Sequence, residues 1–294
     1  MTLLRVGTRG SELALIQTRL VCSLLQAAHA QLEFQEIIIK THGDKDAQSP
    51  FDIHWPAGGF TGAIEQALLA GEIDLAVHSY KDLPTAITPG LVVAAIPARE
   101  VAHDVLVSKE ALDLDAVPAG YRIGTSSPRR TAQIHWFCGA VAVESLRGNV
   151  PTRLAKVDKG ELDAVVLAAA GLQRLNLRPQ HEIDLPLDRF VPAPAQGALA
   201  VQTRDENEIR TLVAAIEHRE SRLAVEAERE FLRAIGAGCH TPAAAYATAE
   251  GPGIRLTAQL FSDDGARMAQ RRDTARDGAA LAQKLAASLQ SELR

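Results

Sequence analysis

Four polar side chains, His78, Ser79, Lys81 and Asp82, follow directly after a short and mostly apolar run at residues 73–77. An apolar run of this length predicts a strand inside a parallel sheet, and ligands of open α/β folds bind beyond the carboxyl ends of such strands. A carboxylate there can stabilise positive charge that develops on a substrate, and it can carry a proton. The alternative is a solvated turn in which Asp82 caps a helix or pairs with Lys81, and these residues alone favour that alternative.

Six arginines lie in loops or near the ends of predicted strands, in a chain whose net charge is -5. They are Arg9, Arg129, Arg130, Arg147, Arg153 and Arg174. Helix N-termini attract anions, and arginine binds carboxylates through paired hydrogen bonds. One such pair would be interpreted as a surface ion pair, whereas six predict a polyanionic ligand, either phosphate or carboxylate. We expect these cations and Lys81 to favour the carboxylate form of Asp82.

The cysteines Cys22, Cys138 and Cys239 are widely spaced and form no Cys-x-x-Cys pattern. This usage predicts a reducing, cytoplasmic location and no disulfide. The nine histidines form no His-x-x-x-His pair, so no metal site is predicted. Cys22 falls within a predicted helix as core filler, whereas Cys239 precedes His240 in a glycine-bounded segment that suits an accessible thiol. A cysteine hydrolase is disfavoured, because adjacent residues of an extended segment point to opposite faces.

Composition is that of a soluble globular protein, with 294 residues, 47% hydrophobic and 23% charged. The negative net charge gives no overall attraction to nucleic acid or to anionic membranes. No apolar run reaches membrane-spanning length, and the N-terminus resembles neither a signal peptide nor a transit peptide. The glycine-rich loops of nucleotide-binding folds are also missing from the sequence.

An internal repeat organises the first two thirds of the chain. Residues Val6–Ser11 parallel Ile123–Pro128, and Gly71–Val77 parallel Gly160–Val166, in the same order. In each half a strand-to-helix loop is followed by Gly-Glu-x-Asp and a buried strand. The repeat predicts two similar α/β lobes with a cleft between them and ligand loops on both sides.

The domain boundaries follow from this repeat and from the pattern of the tail. We predict a discontinuous first lobe, residues 1–97 and 196–218, and a second lobe, residues 98–195. Residues 219–294 are predicted to form a small α+β domain, in which three short strands precede the amphipathic helix Ala279–Leu293.

Residues 43–60 form a long predicted loop with three aromatic side chains, Phe51, Trp55 and Phe60. A loop of this length inside a compact domain is either a functional lid or disordered. In the simpler alternative, Trp55 only fastens the loop to the core.

The ordered set of motifs resembles the porphobilinogen deaminase (hydroxymethylbilane synthase) family of tetrapyrrole and heme biosynthesis over nearly the whole chain. The motifs are Thr8-Arg9 with Ser11, Val77-His-Ser-x-Lys-Asp82, Gly124-Thr-Ser-Ser-x-Arg-Arg130, Ser145-Leu-Arg-Gly-Asn149, Ala170-Gly-Leu-x-Arg174, Gln196-Gly197 and Gly238-Cys239. The resemblance implies an α/β fold of two periplasmic-binding-protein-like lobes with a central cleft, plus a small C-terminal α+β domain. It also implies a monomer with porphobilinogen as its small-molecule substrate.

The resemblance further implies a transferase that joins four porphobilinogens head to tail onto a covalent dipyrromethane cofactor and then releases a linear tetrapyrrole by hydrolysis. Cys239 would carry that cofactor through a thioether. Asp82 would be the catalytic carboxylate, helping to expel ammonia, stabilising the azafulvene cation and assisting deprotonation. The cofactor-binding positions would be Lys81, Ser127, Arg129 and Arg130. The substrate-binding positions would be Arg9, Ser11, Gln17, Arg147, Arg153 and Arg174, which match positions that hold acetate and propionate groups.

The sequence departs from the family pattern in the predicted lid. Ala57 stands where the family has a lysine, and His42 stands where it has an arginine. The loss of two cations leads to the hypothesis that lid closure or substrate binding is altered. The second interpretation of the whole chain is a two-lobed polycarboxylate-binding paralogue whose catalysis is weak or lost, although such a protein would need neither Asp82 nor Cys239.

Overall fold

The computed structural model describes residues 2–41, 61–236 and 241–294. The chain divides into two compact units, Met1–Glu100 with Gly197–Arg222 and Val101–Gln196 with Leu223–Arg294. The chain therefore leaves the first unit once and returns to it once. The three-domain boundaries remain a prediction.

The first unit contains a five-stranded sheet in the order β2-β1-β3-β10-β4. Its strands are β1 (Thr2–Thr8), β2 (Leu32–Ile38), β3 (Leu75–Ser79), β4 (Leu91–Ala95) and β10 (Leu199–Arg204). Its helices are α1 (Glu12–Ala28), α2 (Gly62–Leu69) and α6 (Asn207–Val213). Strand β1 pairs in parallel with β2 and β3, whereas β10 pairs antiparallel with β3 and β4. Strand β3 is buried on both faces, as the apolar run predicts.

The second unit repeats this arrangement in the order β7-β6-β8-β5-β9. Its strands are β5 (Asp104–Ser108), β6 (Arg122–Gly124), β7 (Ala142–Glu144), β8 (Ala164–Ala168) and β9 (Glu182–Asp184). Its helices are α3 (Pro128–Cys138), α4 (Val150–Asp158) and α5 (Ala169–Arg174). Strand β6 pairs in parallel with β7 and β8, and β5 is the antiparallel neighbour of β8. The predicted internal repeat is confirmed at the level of sheet topology.

The repeated Gly-Glu-x-Asp motif has the same contacts in both units. Asp74 accepts hydrogen bonds from the backbone N–H of Arg5 at 2.8 Å and from its guanidinium at 2.8 and 3.1 Å. Asp163 does the same for Arg122, at 2.8, 2.8 and 3.1 Å. The motif glycine has a positive φ in both copies, +70° at Gly71 and +71° at Gly160, which suits the residue after a helix. Each aspartate thereby ties the start of one buried strand to its parallel neighbour.

The remainder of the second unit is a three-stranded antiparallel sheet covered by two helices. The strands are β11 (Ala243–Glu250), β12 (Gly253–Phe261) and β13 (Met268–Ala275), and the helices are α7 (Arg219–Ala234) and α8 (Gly278–Leu293). Phe231 and Leu289 are fully buried in the core between them. The predicted three strands and closing helix of the tail are confirmed, with bounds that differ by a few residues.

Two strands of the second unit are very short. Strand β7 is only Ala142–Glu144, because Leu146 turns inward and its N–H donates to the hydroxyl of Ser126 at 2.8 Å. Strand β9 was not predicted at all, since three residues are too few to show a period. Within the described residues, none of the helices combines the length and apolar character that crossing a bilayer requires.

Candidate active site

The turn that carries Asp82 follows directly from the central strand β3. Residues Tyr80–Asp82 form one turn of 3-10 helix, in which Tyr80 is buried while Lys81 and Asp82 are exposed. The N–H of Tyr80 donates to the carbonyl of Ala198 at 3.0 Å, next to strand β10. The turn is thus anchored by backbone and by Tyr80, and it presents its two charged residues outward.

Ser79, the last residue of β3, is held from the α1 side of the sheet. The amide Nε2 of Gln17 donates to the Ser79 hydroxyl at 2.9 Å, and that hydroxyl lies 3.2 Å from Gln17 Oε1. Gln17 is only 4% exposed. The predicted substrate-binding residue Gln17 therefore contacts the last residue of the strand that leads into the Asp82 turn.

His78 is held from the other side of the same sheet. Its Nε2 lies 3.1 Å from Gln202 Oε1, and Gln202 Nε2 donates to Glu65 Oε1 at 2.9 Å. All three side chains are buried. Burial lowers the pKa of His78 to about 4, and the hydrogen bond to Gln202 opposes this only in part. His78 is therefore neutral at pH 7.

Arg9 and Ser11 lie in the loop between β1 and α1. Strand β1 is the parallel neighbour of β3 in the sheet. Ser11 is the N-cap of α1, and its hydroxyl accepts from the N–H of Ala14 at 3.3 Å. Arg9 is partly buried. The hydroxyl of Ser11 is therefore engaged by the protein itself as a helix cap.

The start of α3, in the second unit, contains Ser127, Arg129 and Arg130. Ser127 is the N-cap and accepts from the N–H of Arg130 at 3.4 Å, with Pro128 in the first helical position. Arg129 is 5% and Arg130 is 8% exposed. Both arginine side chains therefore point into the interior of the second unit.

Asp104, the first residue of β5, binds both arginines. Its Oδ2 accepts from Arg129 Nη1 at 2.8 Å, and its Oδ1 accepts from Arg130 Nη2 at 2.6 Å and from Gln196 Nε2 at 2.8 Å. Burial alone would raise the pKa of Asp104, but the charges of Arg129 and Arg130 outweigh it and hold that pKa well below its usual range. The carboxylate of Asp104 therefore contributes one negative charge against the two positive charges of Arg129 and Arg130, and these three side chains together carry a net positive charge.

A buried chain of amides continues from this cluster to the C-terminal sheet of the same unit. Arg129 Nη1 donates to Gln133 Oε1 at 2.9 Å, and Gln133 Nε2 donates to Gln259 Oε1 at 2.6 Å. Gln259 on β12 then donates to Gln270 on β13 at 2.8 Å. The arginine pair is therefore positioned by the sheet behind it as well as by Asp104.

The other three arginines predicted as ligands in the second unit lie after a strand or in helices that follow strands. Arg147 lies after β7, Arg153 lies in α4, and Arg174 ends α5, and all three are partly buried. Arg153 Nε donates to the carbonyl of Gly148 at 2.8 Å. The Asn149 side chain accepts from Thr152 N–H at 2.9 Å and caps the same helix. These contacts join Arg153 to the turn that carries Arg147.

Of the two cysteines singled out from the sequence, Cys22 lies within the described residues and Cys239 does not. Cys22 packs on the core of the first unit, and burial raises the pKa of its thiol to about 12, as expected of core filler. Cys239 and His240 lie outside the described residues, as do His42, Ala57 and the rest of the predicted lid at 43–60. In the described part of the chain, the His, Cys, Asp and Glu residues form no metal-binding group.

Sequence reasoning missed the partners that hold the site residues, namely Asp104, Gln133, Gln202 and Glu65. Asp104 did leave a signal, because an acidic residue at the head of the apolar run Val105–Val107 needs a cation. The glutamines left none, because their contacts join residues 126 and 124 positions apart in the chain.

Two sets of polar groups are therefore available for chemistry. The first unit presents an exposed carboxylate and an ammonium, Asp82 and Lys81, on a rigidly held turn. The second unit concentrates arginines, which bind carboxylates through directed hydrogen bonds. Such groups can bind a polycarboxylate and can assist a reaction that passes through a cation.

Comparison with known proteins gives consistent matches across the chain. A family model described as porphobilinogen deaminase, dipyromethane cofactor binding domain, matches residues 4–211. A second, described as porphobilinogen deaminase, C-terminal domain, matches residues 222–294. The chain is 44% identical over 291 residues to the porphobilinogen deaminase of Moorella thermoacetica, covering 97% of this chain and 93% of the relative. It is 46% identical over 267 residues to that of Thermus thermophilus, covering 90% and 87%.

Among solved structures, the chain resembles the periplasmic VFT2 domain of BvgS from Bordetella pertussis, with a TM-score of 0.42 and 16% identity. That match covers 73% of this chain and 86% of the other.

Proposed function

The chain belongs to the porphobilinogen deaminase family, and we propose that it joins porphobilinogens head to tail on a dipyrromethane that is bound covalently at Cys239. This is a transferase reaction with ammonia as the leaving group, followed by hydrolytic release of the linear tetrapyrrole. The single observation that supports it best is the Asp82 turn, which continues directly from the central strand β3.

Asp82 is proposed as the catalytic carboxylate. Loss of ammonia from the aminomethyl group of porphobilinogen requires a proton on nitrogen and leaves a cation on the substrate. A carboxylic acid can deliver that proton, and the carboxylate that remains can stabilise the cation by its charge and then take up the proton that the pyrrole carbon loses after bond formation. The exposure of Asp82 and Lys81 keeps both groups accessible to a substrate.

The second unit contains residues suited to a polycarboxylate cofactor. The Nε donors of Arg129 and Arg130 are buried and have no acceptor within the described parts of the chain, and a carboxylate could satisfy such donors. We propose that Ser127, Arg129, Arg130 and Lys81 hold the dipyrromethane. When bound, that group supplies the electron-rich pyrrole carbon to which the first substrate is joined.

The remaining predicted residues are proposed to bind the acetate and propionate groups of the substrate and the growing chain. They are Arg9, Ser11, Gln17, Arg147, Arg153 and Arg174. Partial burial supports this role for the arginines, since a half-buried guanidinium gives a stronger hydrogen bond than a solvated one. Ser11 bonds Ala14 at the start of α1, and Gln17 bonds Ser79 at the end of β3. These hydrogen bonds support a second role for Ser11 and Gln17, which is to position the loops at those two ends.

Steady-state kinetics of wild type and Asp82→Asn with porphobilinogen test this function. The substitution keeps the shape of the side chain and removes its charge. We expect turnover to fall at least about 100-fold, the size of a general acid–base contribution, while the protein remains folded. Asp205→Asn, which alters an exposed aspartate of the same unit, is the matched control and should retain wild-type turnover.

Two outcomes separate the alternatives. Near-normal turnover in Asp82→Asn would overturn the role of this carboxylate. A wild-type protein that binds porphobilinogen without consuming it would favour the polycarboxylate-binding interpretation instead.

A cytoplasmic location and a monomeric state are further proposals. The cysteine usage supports the first, and the family resemblance supports the second. Sedimentation velocity of the purified protein at several concentrations checks the second, since a dimer would double the mass.

A further inference from the structure

The relay Glu65–Gln202–His78 connects three separate elements of the first unit. Glu65 lies in the first turn of α2, Gln202 lies in β10, and His78 lies in β3. Their exposed fractions are 8%, 2% and 6%. The relay ends four residues before Asp82 and is not used by the chemistry described above.

The direction of each hydrogen bond follows from the chemistry of the groups. The Glu65 carboxylate can only accept, so the Gln202 amide nitrogen faces it at 2.9 Å. Gln202 Oε1 therefore faces His78 and requires a donor at His78 Nε2, which lies 3.1 Å away. Neutral His78 must then carry its proton on Nε2.

The relay restrains one face of β3 while Gln17 restrains the other. Side chains of consecutive strand residues point to opposite faces. Ser79 reaches Gln17 on the α1 face, and His78 reaches Gln202 on the α2 face. The last two residues before the Tyr80–Asp82 turn are thus fixed from both sides by hydrogen bonds.

A purely structural role would be served better by apolar residues at these positions. Ala76, two residues before His78 on the same face of β3, belongs to an apolar cluster with Ile64 and Leu68 of α2, the helix that carries Glu65. A buried polar group that loses its hydrogen-bond partner destabilises the folded protein. A satisfied polar relay in such surroundings specifies one geometry rather than adding stability.

We propose that the Glu65–Gln202–His78 relay positions the Asp82 turn for the deaminase reaction, which makes His78 a positioning residue of this enzyme. The proposal rests on the proposed function. It predicts that breaking the relay misplaces Asp82 during chemistry and leaves the binding arginines where they are. The turnover number kcat should fall while KM stays nearly constant.

Steady-state kinetics of holoenzyme variants, with porphobilinogen as substrate, test whether kcat falls while KM stays nearly constant. In His78→Phe we expect kcat to fall about tenfold or more, with KM within about twofold, because small misplacements of a reacting group are costly. In His78→Gln the amide can still donate to Gln202, and kcat should recover at least in part. The matched control is His29→Phe, which removes a histidine of the same unit whose Nε2 bonds the Leu212 carbonyl at 3.0 Å, away from the relay.

Wild-type kcat in folded His78→Phe would overturn the proposal, as would an equal loss in His29→Phe. If His78→Phe does not fold, Gln202→Met breaks the same relay from β10 and should show the same loss of kcat at constant KM. Wild-type kcat in that variant would also overturn it.

The tautomer of His78 provides a readout that does not depend on activity. Nitrogen-15 NMR of histidine-labelled protein at pH 7 should show His78 neutral and protonated on Nε2. An Nδ1–H tautomer or an imidazolium at that pH would contradict the relay. Failure of the proposed function would appear separately, as a wild-type protein that does not consume porphobilinogen.

Discussion

Asp104→Asn tests how the buried arginine pair is held in place. The carboxylate of Asp104 is 1% exposed and accepts three hydrogen bonds, at 2.8 and 2.6 Å from Arg129 and Arg130 and at 2.8 Å from Gln196. Asparagine keeps the shape but leaves two buried guanidinium groups without a counter-charge. Breaking a buried ion pair from one side costs about 3–5 kcal/mol.

The free energy of unfolding, measured by urea denaturation at pH 7, should fall by about that amount. The melting temperature should fall by about 6–20 °C, since each kcal/mol corresponds to about 2–4 °C in a folding unit of this size. Arg130→Met in the Asp104→Asn background removes one of the unpaired charges, so it should restore part of the lost stability. The control is Asp273→Asn, whose exposed ion pair with Lys284 should matter little.

The dependence on pH follows from the sign of the pKa shift. The folded pKa of Asp104 lies below its ordinary value, so its contribution is present above about pH 4 and is lost as the pH falls through the folded pKa. The stability difference between wild type and Asp104→Asn should therefore be constant from pH 5 to 8 and should narrow in acid. A loss below about 1 kcal/mol at pH 7 would refute the argument from buried charge.

Three further predictions concern other parts of the chain. Glu228→Gln should lower the free energy of unfolding by about 2 kcal/mol, because the two carboxylate oxygens accept the backbone N–H groups of Ala195 at 2.6 Å and Ala247 at 2.7 Å, and glutamine replaces one of these oxygens with an NH2 donor; urea denaturation measures it. Iodoacetamide at pH 8 should leave Cys22 unlabelled in the folded protein, since its thiol pKa is about 12, and peptide mass spectrometry checks this. Ala57→Lys, which restores the lysine of the family pattern, should change KM or kcat for porphobilinogen.

Each of these predictions has a defined failure. Unchanged stability in Glu228→Gln, or an equal loss in the exposed Glu220→Gln on the same helix, would contradict the first. Labelling of Cys22 as fast as in urea-unfolded protein would contradict the second. Steady-state constants identical to wild type in Ala57→Lys would contradict the third.

The internal repeat could be predicted because its causes are local. Gly71 and Gly160 each end a helix, and Asp74 and Asp163 each begin a buried strand, so both copies keep the same short pattern. The structure adds the reason for the aspartate, which is its pairing with an arginine on the neighbouring parallel strand. That partner could not be predicted from spacing, since Arg5 lies 69 residues from Asp74.

The candidate site was predictable in residue type and in position along the strands, but its internal contacts were not. The strand-to-helix loop predicted at Ile123–Pro128 is found directly before the first turn of α3, which carries Arg129 and Arg130. Their burial on Asp104 depends on how β5 enters the second sheet as an antiparallel strand beside β8, which no local pattern encodes. The same holds for His78. Its partner Gln202 belongs to β10, which pairs with β3 but comes after most of the second unit along the chain.

The intact mass of the purified protein tests the central claim most directly. Protein from cells that make porphobilinogen should carry a mass increment equal to two pyrrole units, and Cys239→Ser should lack it. That result would support both the covalent dipyrromethane and its attachment residue. A wild-type chain of unmodified mass from the same cells would contradict the account.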